Sequence, residues 1–373
     1  MPAATTSPEE AMLKQLKRAA TKALAVPAVR KTYEGVTRVT LGVGGSSRIG
    51  ATLYSLVGFG IFNREQWAVL AGRRAYYRNL NDARPSHVEL RRNVHRLEKG
   101  ILMRPRRDVF AREYIQETVE FYAAAVTRGA GAPAIDEGEL RWAHDVLAEY
   151  FSMIPSADPV IDRARDQFVA LPEFESDGAA KPYEHGSIPS SGVTYDQFLA
   201  LATQRRSVRW FLDKPVDREL IDHAITAARQ APSACNRLPY EFLVFDDPAQ
   251  VRTVSAIPFG AAGYNHQIPT IVVVKGRLDS YFSPRDRHVP YIDASLAAMS
   301  FMFALETLGL SSSVINWPDF EPLERRMAKT LRLAPHERVI MLIAVGHADP
   351  TALVARSEKK SLDVLRRYDS LGA

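Results

Sequence analysis

The sequence has a single cysteine, Cys235, among its 373 residues. One cysteine excludes an intramolecular disulfide, and it also excludes cysteine-based metal clusters and iron–sulfur sites. No metal-ligand pattern is evident, so we predict no metal site. Sparse cysteine is typical of a reducing compartment, and we predict a cytoplasmic location.

Long hydrophobic runs are also absent. The most apolar stretch, residues 49–62, has about 14 residues and contains three glycines, whereas a bilayer span needs about 20. We therefore expect a buried core helix or an interfacial segment there and no transmembrane span, with peripheral membrane contact left open. The start of the chain resembles a helix N-terminus at Ser7-Pro8-Glu9-Glu10 and lacks the pattern of a secretory signal.

The formal charge is only +5, but it is distributed unevenly. Residues 73–112 contain many arginines and few acids. A basic face of this kind can bind anionic lipid, polysaccharide or nucleic acid, but a solvated helix face is the commoner explanation. We predict no nucleic-acid partner.

Two halves with different patterns are joined by a polar segment. Residues 8–155 show helical spacing of apolar residues, starting with Leu13, Leu16, Ala20 and Leu24. Residues 171–193 are rich in Pro, Gly, Ser and Glu without an apolar period, which is typical of a linker. We predict a helical extension at 1–170, a linker at 171–193 and a second domain at 194–373.

The second half alternates predicted helices and strands. Thr194 and Gln197 form a capping-box pattern, and Asp217 can cap the next helix. The predicted helices are 194–204, 218–230, 293–308 and 320–331, and the predicted strands are 241–245, 270–275, 312–315 and 339–345. This order predicts an α+β domain with three layers, in which helices cover both faces of one mixed sheet.

Two short segments have side chains suited to a ligand. Arg205-Arg206-Ser207-Val208-Arg209 places three cations and a hydroxyl directly after a predicted helix, and residues 231–236 form a Pro-Ser-x-x-Asn turn. Such a pair suits a ligand with an anionic tail and a flat polar ring. The alternatives are arginines that cap a helix or lie in solvent, and a plain helix-ending turn.

Six ordered blocks link this half to a known family. They are Arg205–Arg209, Lys214–Val216, Ala228–Phe242, the valine-rich strand near 272, Asp293–Ser295 with Leu308–Leu310, and Val345–Gly346 before a basic tail. On these blocks the chain resembles the nitroreductase family of FMN-dependent reductases from about residue 196 to its end. A softer resemblance, at His95–Met103, is to nitroreductase-like proteins associated with surface-polysaccharide gene clusters.

The resemblance implies a homodimer with FMN in two sites at the subunit interface. Arg205 would hold the flavin phosphate, and Arg206 and Ser207 would hold the phosphate or the ribityl chain. Arg209 would lie near N1 and O2 of the flavin ring as the catalytic residue, because a fixed cation favours the reduced anionic flavin.

The turn would reach the flavin from the partner subunit through Pro232, Ser233, Ala234 and Asn236. Cys235 between them is expected to be a packing residue rather than a nucleophile. His288 is conceivable as a proton donor, but a lone loop histidine is more often merely exposed.

Two further segments complete the implied site. Ile315 and Asn316 fall at a strand end whose backbone approaches flavin N5 in relatives, and Trp317 would wall the substrate side unless it is core. Lys359 and Lys360 resemble the family's basic phosphate-binding segment, with a solvated tail as the alternative.

The implied activity is that of an NAD(P)H-dependent flavin oxidoreductase. NAD(P)H would reduce the flavin at N5, and the flavin would reduce a small organic acceptor, nitroaromatic or quinone-like. The absence of a Gly-x-Gly-x-x-Gly fingerprint agrees with transient binding of the nicotinamide. The alternatives are a dehalogenating or flavin-fragmenting relative, and a flavin-binding or flavin-lost accessory protein of polysaccharide assembly.

Overall fold

The computed structural model describes residues 22, 26–57, 62–80, 86–127, 135–155 and 158–369. The chain divides into two compact units, one ending at Gln66 and the other beginning at Trp67. The predicted helix through Leu13 and Leu24 lies outside the described residues.

The described part of the first unit includes two helices joined by a short glycine-serine turn. Helix α1 (Pro27–Gly44) has proline in its first turn, where the missing N–H costs nothing, and helix α2 (Arg48–Val57) follows. The apolar side chains of Ile49, Leu53 and Leu56 are exposed. The core-helix expectation is therefore wrong for α2, and the interfacial alternative stays a prediction.

The second unit begins with a helical region. Its helices are α3 (Asn63–Arg78, which starts in the first unit), α4 (Val88–Leu102), α5 (Ile115–Val126), α6 (Glu137–Met153) and α7 (Pro159–Val169). Asp136 and Asp158 cap α6 and α7 by accepting hydrogen bonds from N–H groups of the first turn. The helices enclose a hydrophobic core of their own, which includes Leu90, Leu97, Val119, Leu147 and Tyr150.

Gly100 lies inside α4, two residues before the end of this helix. A Cβ atom at Gly100 would lie 2.1 Å from a ring atom of Phe110. The helix continues to Leu102 and keeps the right-handed backbone at this glycine. Position 100 has no room for a side chain because Phe110, in the chain after the helix, packs against it. Gly100 therefore does not mark the end of the helix.

Residues 171–193 contain no regular element beyond a single turn at His185–Ser187. The regions on either side have separate hydrophobic cores but belong to one compact unit. The predicted domain boundary in this segment stays a prediction.

The remaining elements agree closely with the sequence pattern. They are α8 (Tyr195–Gln204), α9 (Arg218–Ala228), β1 (Tyr240–Phe245), α10 (Pro248–Ser255), β2 (Thr270–Arg277), α11 (Val289–Thr307), β3 (Ser311–Asn316), α12 (Glu321–Leu331), β4 (Glu337–Gly346) and α13 (Leu362–Leu365). Both bonds of the predicted capping box at Thr194 and Gln197 form, and Asp217 caps α9. Helices α10 and α13 were not predicted, although Asp247 accepts from the N–H of Gln250 as the cap of α10.

The four strands form one sheet in the order β1-β2-β4-β3. All neighbouring strands pair antiparallel, with Val273 opposite both Leu243 and Leu342. The predicted mixed sheet requires some parallel pairing. Among the described residues, parallel pairing occurs only in the isolated bridge between Ser207 and Ser312.

Helices cover both faces of the sheet. Val272 and Val274 face a core that contains residues of α9 and α11, whereas Ile271 and Val273 face a core that contains residues of α10 and α12. The predicted α+β class with three layers is confirmed.

Helix α11 runs through the centre of this domain. It begins at Val289, four residues before the predicted start, because Pro290 is accommodated in its first turn. By length and composition, a helical stretch at Pro284–Thr307 is apolar enough to cross a membrane. Its side chains Ala297, Phe301 and Leu305 are fully buried in the protein, as in the core helix of a globular domain.

Candidate functional site

The basic segment, which is Arg205–Arg209, is fixed at the edge of the sheet. Helix α8 ends at Gln204, and the N–H of Arg205 donates to Leu201 O at 3.0 Å as its C-cap. The chain then extends along β3, where the N–H of Val208 donates to Ser312 O at 3.0 Å. The sheet thus holds the backbone at Ser207 and Val208 in one position.

Arg205 is partly buried beside the last turn of α11. Its Nε has no hydrogen-bond partner among the described residues. Burial raises the pKa of the Glu306 carboxyl, and the positive charge of Arg205 opposes this shift. A shielded N–H donor without an acceptor is costly, so this atom is available to an anionic ligand.

Arg206 connects the segment to the C-terminal tail. Its Nη1 donates to Arg356 O at 3.4 Å. Lys359 and Lys360 are exposed and follow Arg356 by three and four residues, so Lys359 lies within about 11 Å of it along the chain. The start of the basic tail and the basic segment therefore lie close together.

Arg209 is exposed, but its backbone is held by Gln267. The side-chain amide of Gln267 donates to Arg209 O and accepts from the N–H of Phe211 at 2.8 Å. Burial raises the pKa of the Tyr264 hydroxyl, and Ser313 and Arg209 oppose this shift. The guanidinium of Arg209 therefore lies beside a tyrosine hydroxyl and the β3 strand.

The Pro-Ser-x-x-Asn turn has an unusual backbone. Cys235, Asn236 and Leu238 have φ values of 56°, 50° and 45°, in the left-handed region that non-glycine residues rarely adopt. The Ser233 carbonyl accepts from the N–H of Asn236 at 3.0 Å, and the Ser233 hydroxyl accepts from the N–H of Leu238 at 3.1 Å. Strained turns of this kind are found mainly at functional sites.

Asp293, in the first turns of α11, anchors the turn. Its carboxylate accepts from the N–H of Ala234 at 2.9 Å and from the hydroxyl of Tyr281 at 3.4 Å. Burial raises the pKa of Asp293, and both hydrogen bonds oppose the shift.

The two predicted halves of the site lie at opposite ends of α11. Arg205 lies beside Glu306 near the end of the helix, and Ala234 is bound to Asp293 near its start. The thirteen residues between these carboxylates correspond to about 20 Å along a helix. One chain therefore does not bring the basic segment and the turn together.

Ile315 and Asn316 lie at the end of β3, beyond the point where the basic segment joins this strand. Ser207 bridges to Ser312 at the start of β3, and Asn316 lies four residues further, or about 13 Å along the strand. Ile315 is buried, whereas Asn316 is exposed. Their predicted approach to a flavin stays a prediction.

Trp317 is buried in the core beneath the sheet. Its indole N–H donates to Glu324 Oε1 at 2.6 Å, and Glu324 also pairs with Arg338 at 3.2 Å. These contacts account for Trp317 as a packing residue, and its predicted contact with a substrate stays a prediction.

Comparison with known proteins places the same half of the chain in one family. The model of the nitroreductase family matches residues 202–265 and 257–347. A candidate NADH dehydrogenase/NAD(P)H nitroreductase of Archaeoglobus fulgidus is 31% identical over 158 residues, which are 42% of this chain and 86% of the relative. The chain belongs to the nitroreductase family.

The chain is also similar to a deiodinase and to a solved nitroreductase structure. Human iodotyrosine deiodinase 1 is 24% identical over 212 residues, covering 49% of this nitroreductase-family chain and 72% of the deiodinase. The solved structure of an FMN-dependent nitroreductase of Clostridium difficile is 21% identical and covers 46% of this chain and 99% of that one, with a TM-score of 0.40. Family membership supports a flavin oxidoreductase in general.

The residues of the basic segment fit the phosphate of the flavin nucleotide typical of nitroreductases. The observation is the shielded, unused Nε of Arg205, with Arg206, Ser207 and the lysine-bearing tail nearby. Arginine suits a phosphate because its planar fork binds two oxygens at once.

Several residues that shape this nitroreductase site had no predicted role. Gln267 and Tyr264 flank Arg209, and Asp293 holds the turn from within a block that carried the family resemblance. No short-range signal marks Gln267 or Tyr264, because their partners lie far away in sequence.

The expected packing role of Cys235 and the proton-donor alternative for His288 both stay predictions. The Cys235 side chain is partly buried within the strained turn, and His288 is exposed just before α11.

Proposed function

We propose that the chain is an FMN-dependent oxidoreductase that takes electrons from NAD(P)H and reduces a small organic acceptor, nitroaromatic or quinone-like. The observation that carries this proposal is the partly buried Arg205 within the family-matched residues, whose Nε donor has no acceptor among the described residues. A buried cationic donor without an acceptor is a site for a ligand anion.

The positions of the residues support the following proposed roles. Arg205 and Arg206 would hold the phosphate with Lys359 and Lys360 from the tail, and Ser207 would hydrogen-bond the ribityl chain. Arg209 would face the flavin ring, where its fixed charge stabilises negative charge that develops on reduction. FMN held by these residues would supply the redox chemistry, in which a hydride from NAD(P)H provides the two electrons for the acceptor.

We propose that the active form is a homodimer. Because the basic segment and the turn lie about 20 Å apart along α11, the turn at Pro232, Ser233, Ala234 and Asn236 would serve the flavin of the second copy. Nitroreductases are commonly homodimers, which agrees with this separation.

Exposed apolar side chains on α8 and α11 support the proposal that a second copy of the chain binds there. The Phe198 ring of α8 packs on the Phe303 ring of α11 at 5.5 Å, which joins the two helices. Their outer apolar side chains are exposed, as are several in the tail: Tyr195, Leu199, Ile292, Leu296, Leu353 and Leu365. Large apolar side chains exposed on two adjoining helices are often covered by a partner.

A second candidate activity is reductive dehalogenation of an aromatic compound. The similarity to iodotyrosine deiodinase 1 over 212 residues favours it. In this case, each NAD(P)H oxidised would replace one carbon–halogen bond by a carbon–hydrogen bond and release one halide ion. Quinone reduction would instead consume one NAD(P)H and one proton for each hydroquinone formed.

The deciding experiment uses the purified full chain. We expect bound flavin that absorbs at about 450 nm, oxidation of NADH or NADPH, and faster oxidation when an acceptor is added. A nitroaromatic, a quinone and a halogenated phenol are compared, with halide release measured for the last. A colourless chain that takes up no added FMN would contradict the proposal and support the accessory-protein alternative.

The cellular location stays a prediction. We propose a cytoplasmic enzyme whose α1–α2 segment makes peripheral contact with a membrane. The exposed Ile49, Leu53 and Leu56 of α2 support this contact because they give the first unit an apolar surface.

A further inference from the structure

Helix α4 of the helical region lies against the Pro-Ser-x-x-Asn turn. Arg91 Nε donates to the backbone oxygen of Asn236 at 2.7 Å, across 145 residues of sequence. Arg91 Nη1 also donates to Glu139 Oε2 of α6 at 2.9 Å. The Arg91 side chain is 12% exposed, so both bonds are shielded from water. One guanidinium thus joins two helices of the helical region to the turn.

Glu139 is itself rigidly held. Its carboxylate accepts from the N–H of His87 at 2.7 Å and from the hydroxyl of Ser86 at 2.7 Å, in addition to Arg91. The Glu139 side chain is 1% exposed. A carboxylate with three donors in a shielded position has one orientation, and it therefore fixes the orientation of Arg91.

A second ion pair lies beside the first. Arg237, directly after the turn residue Asn236, pairs with Glu89 of α4 through Nη2 and Oε1 at 3.4 Å. The Arg237 guanidinium also lies over the Tyr281 ring at 4.8 Å. Both charged side chains are buried. The turn is therefore held on one side by Asp293 and on the other by α4.

The turn needs this support because of its backbone. Cys235 and Asn236 are consecutive non-glycine residues in the left-handed region, which short peptides do not favour. A charge-assisted hydrogen bond to the Asn236 carbonyl stabilises that conformation from outside the turn.

We propose that Arg91 is a positioning residue for the flavin-contacting turn, and that the helical region serves to hold this turn in its strained conformation. The inference rests on the proposed function in that FMN is the ligand that the turn reaches. Arg91 does not touch the reacting atoms. In a homodimer, the helical region of one protomer would thereby shape the flavin site of the other.

The test compares Arg91→Gln with Arg96→Gln in the full-length protein. Arg96 lies on the same helix, stacks on the Tyr114 ring at 3.5 Å and donates to Asn93 Oδ1 at 3.1 Å, and both partners belong to the helical region. Amide hydrogen exchange is measured without FMN. We expect Ala234, Asn236 and Leu238 to exchange about tenfold faster in Arg91→Gln when their rates are expressed relative to the amides of β2, whereas this ratio should stay unchanged in Arg96→Gln.

Flavin binding provides the second measurement. We expect the FMN dissociation constant to rise about tenfold in Arg91→Gln and less than about twofold in Arg96→Gln. Arg91→Lys should restore part of the affinity, because a lysine keeps the charge but reaches only one of the two acceptors.

The two measurements separate the inference from the proposed function. Unchanged exchange in the turn of Arg91→Gln overturns the inference, whatever FMN does. Faster exchange in a protein that binds no FMN supports the positioning role and rejects the flavin assignment. If Arg91→Gln fails to fold, the same comparison in Arg91→Lys decides, with faster turn exchange expected and unchanged exchange overturning the inference.

Discussion

The backbone N–H of Ala234 donates to the carboxylate of Asp293 at 2.9 Å, so the turn is tied to the start of a helix 59 residues later. This carboxylate is buried, and its burial raises its pKa. The folded protein therefore binds the proton of the Asp293 carboxyl group more tightly than the unfolded chain does. The associated stabilisation is complete below the ordinary aspartate pKa of about 4. It is lost as the pH rises through the raised folded pKa.

Asp293→Asn tests this linkage. The amide keeps an oxygen acceptor for Ala234 but cannot ionise, so the variant should lose less stability than the unmodified protein as the pH rises above the ordinary aspartate pKa of about 4. Thermal unfolding across this rise in pH gives the comparison, with exposed Asp213→Asn as the control. Parallel pH profiles for the unmodified protein and Asp293→Asn would reject the prediction.

Arg205→Gln should weaken FMN binding more than a comparable change elsewhere. The variant removes the partly buried cation beside Glu306, and we expect the dissociation constant to rise at least about tenfold. Arg218→Gln is the matched control, since Arg218 is exposed and pairs with Asp246. Fluorescence of free flavin during titration measures both, and equal affinities would exclude Arg205 as a phosphate ligand.

Trp317→Phe distinguishes packing from substrate contact. The change removes the indole N–H that donates to buried Glu324, so we expect a loss of about 1–3 kcal/mol of unfolding free energy. Because the ring lies in the core, KM for the acceptor should change little. Exposed Trp67→Phe is the control for stability. A large rise in KM with unchanged stability would restore the substrate role.

The first unit offers a test of membrane contact. Its α1 and α2 helices contain Arg30, Lys31, Arg38 and Arg48 against one acid, Glu34, and thus favour an anionic surface. We expect co-sedimentation with vesicles containing anionic phospholipid, weakened by salt.

Leu53→Ser is the test variant for this contact, and Val169→Ser, an exposed position in the helical region, is its control. We expect weaker sedimentation for Leu53→Ser alone. Equal sedimentation of both variants would mean that α2 does not bind the vesicles, and no sedimentation of the unmodified chain would reject the contact altogether.

Local chemistry made much of the fold predictable. The capping box at Thr194 and Gln197 and the cap at Asp217 act within one helical turn, so the sequence contains both partners of each bond. The apolar run of β2 is buried on both faces and is equally visible. Helix α10 is short and gave no clear apolar period, although Asp247 and Pro248 are its start signals.

The site was predictable only in part. Family-like blocks indicated Arg205 to Arg209 and the turn, but the bonds that hold the turn join it to Arg91 and Asp293, which are distant in sequence. Such pairings depend on tertiary packing, and no periodicity encodes them. The same reason explains Gly100, whose role depends on Phe110 after the helix rather than on its own neighbours.

Gly100→Ala tests that packing directly. In an exposed helix interior, alanine is more stable than glycine by about 1 kcal/mol. At Gly100 the added Cβ would meet the Phe110 ring at 2.1 Å, so we expect a loss of about 1–3 kcal/mol instead. Gly35→Ala is the control, because nothing lies within 4 Å of its added Cβ.

A second substitution identifies the cause of that loss. Phe110→Leu shortens the clashing side chain, so the double variant with Gly100→Ala should lose less free energy of unfolding than the two single losses added together. Denaturant unfolding of the four proteins gives this coupling. If Gly100→Ala is as stable as the unmodified protein, then the helix does not pack against Phe110, and the glycine would have to be explained as an ordinary helix residue.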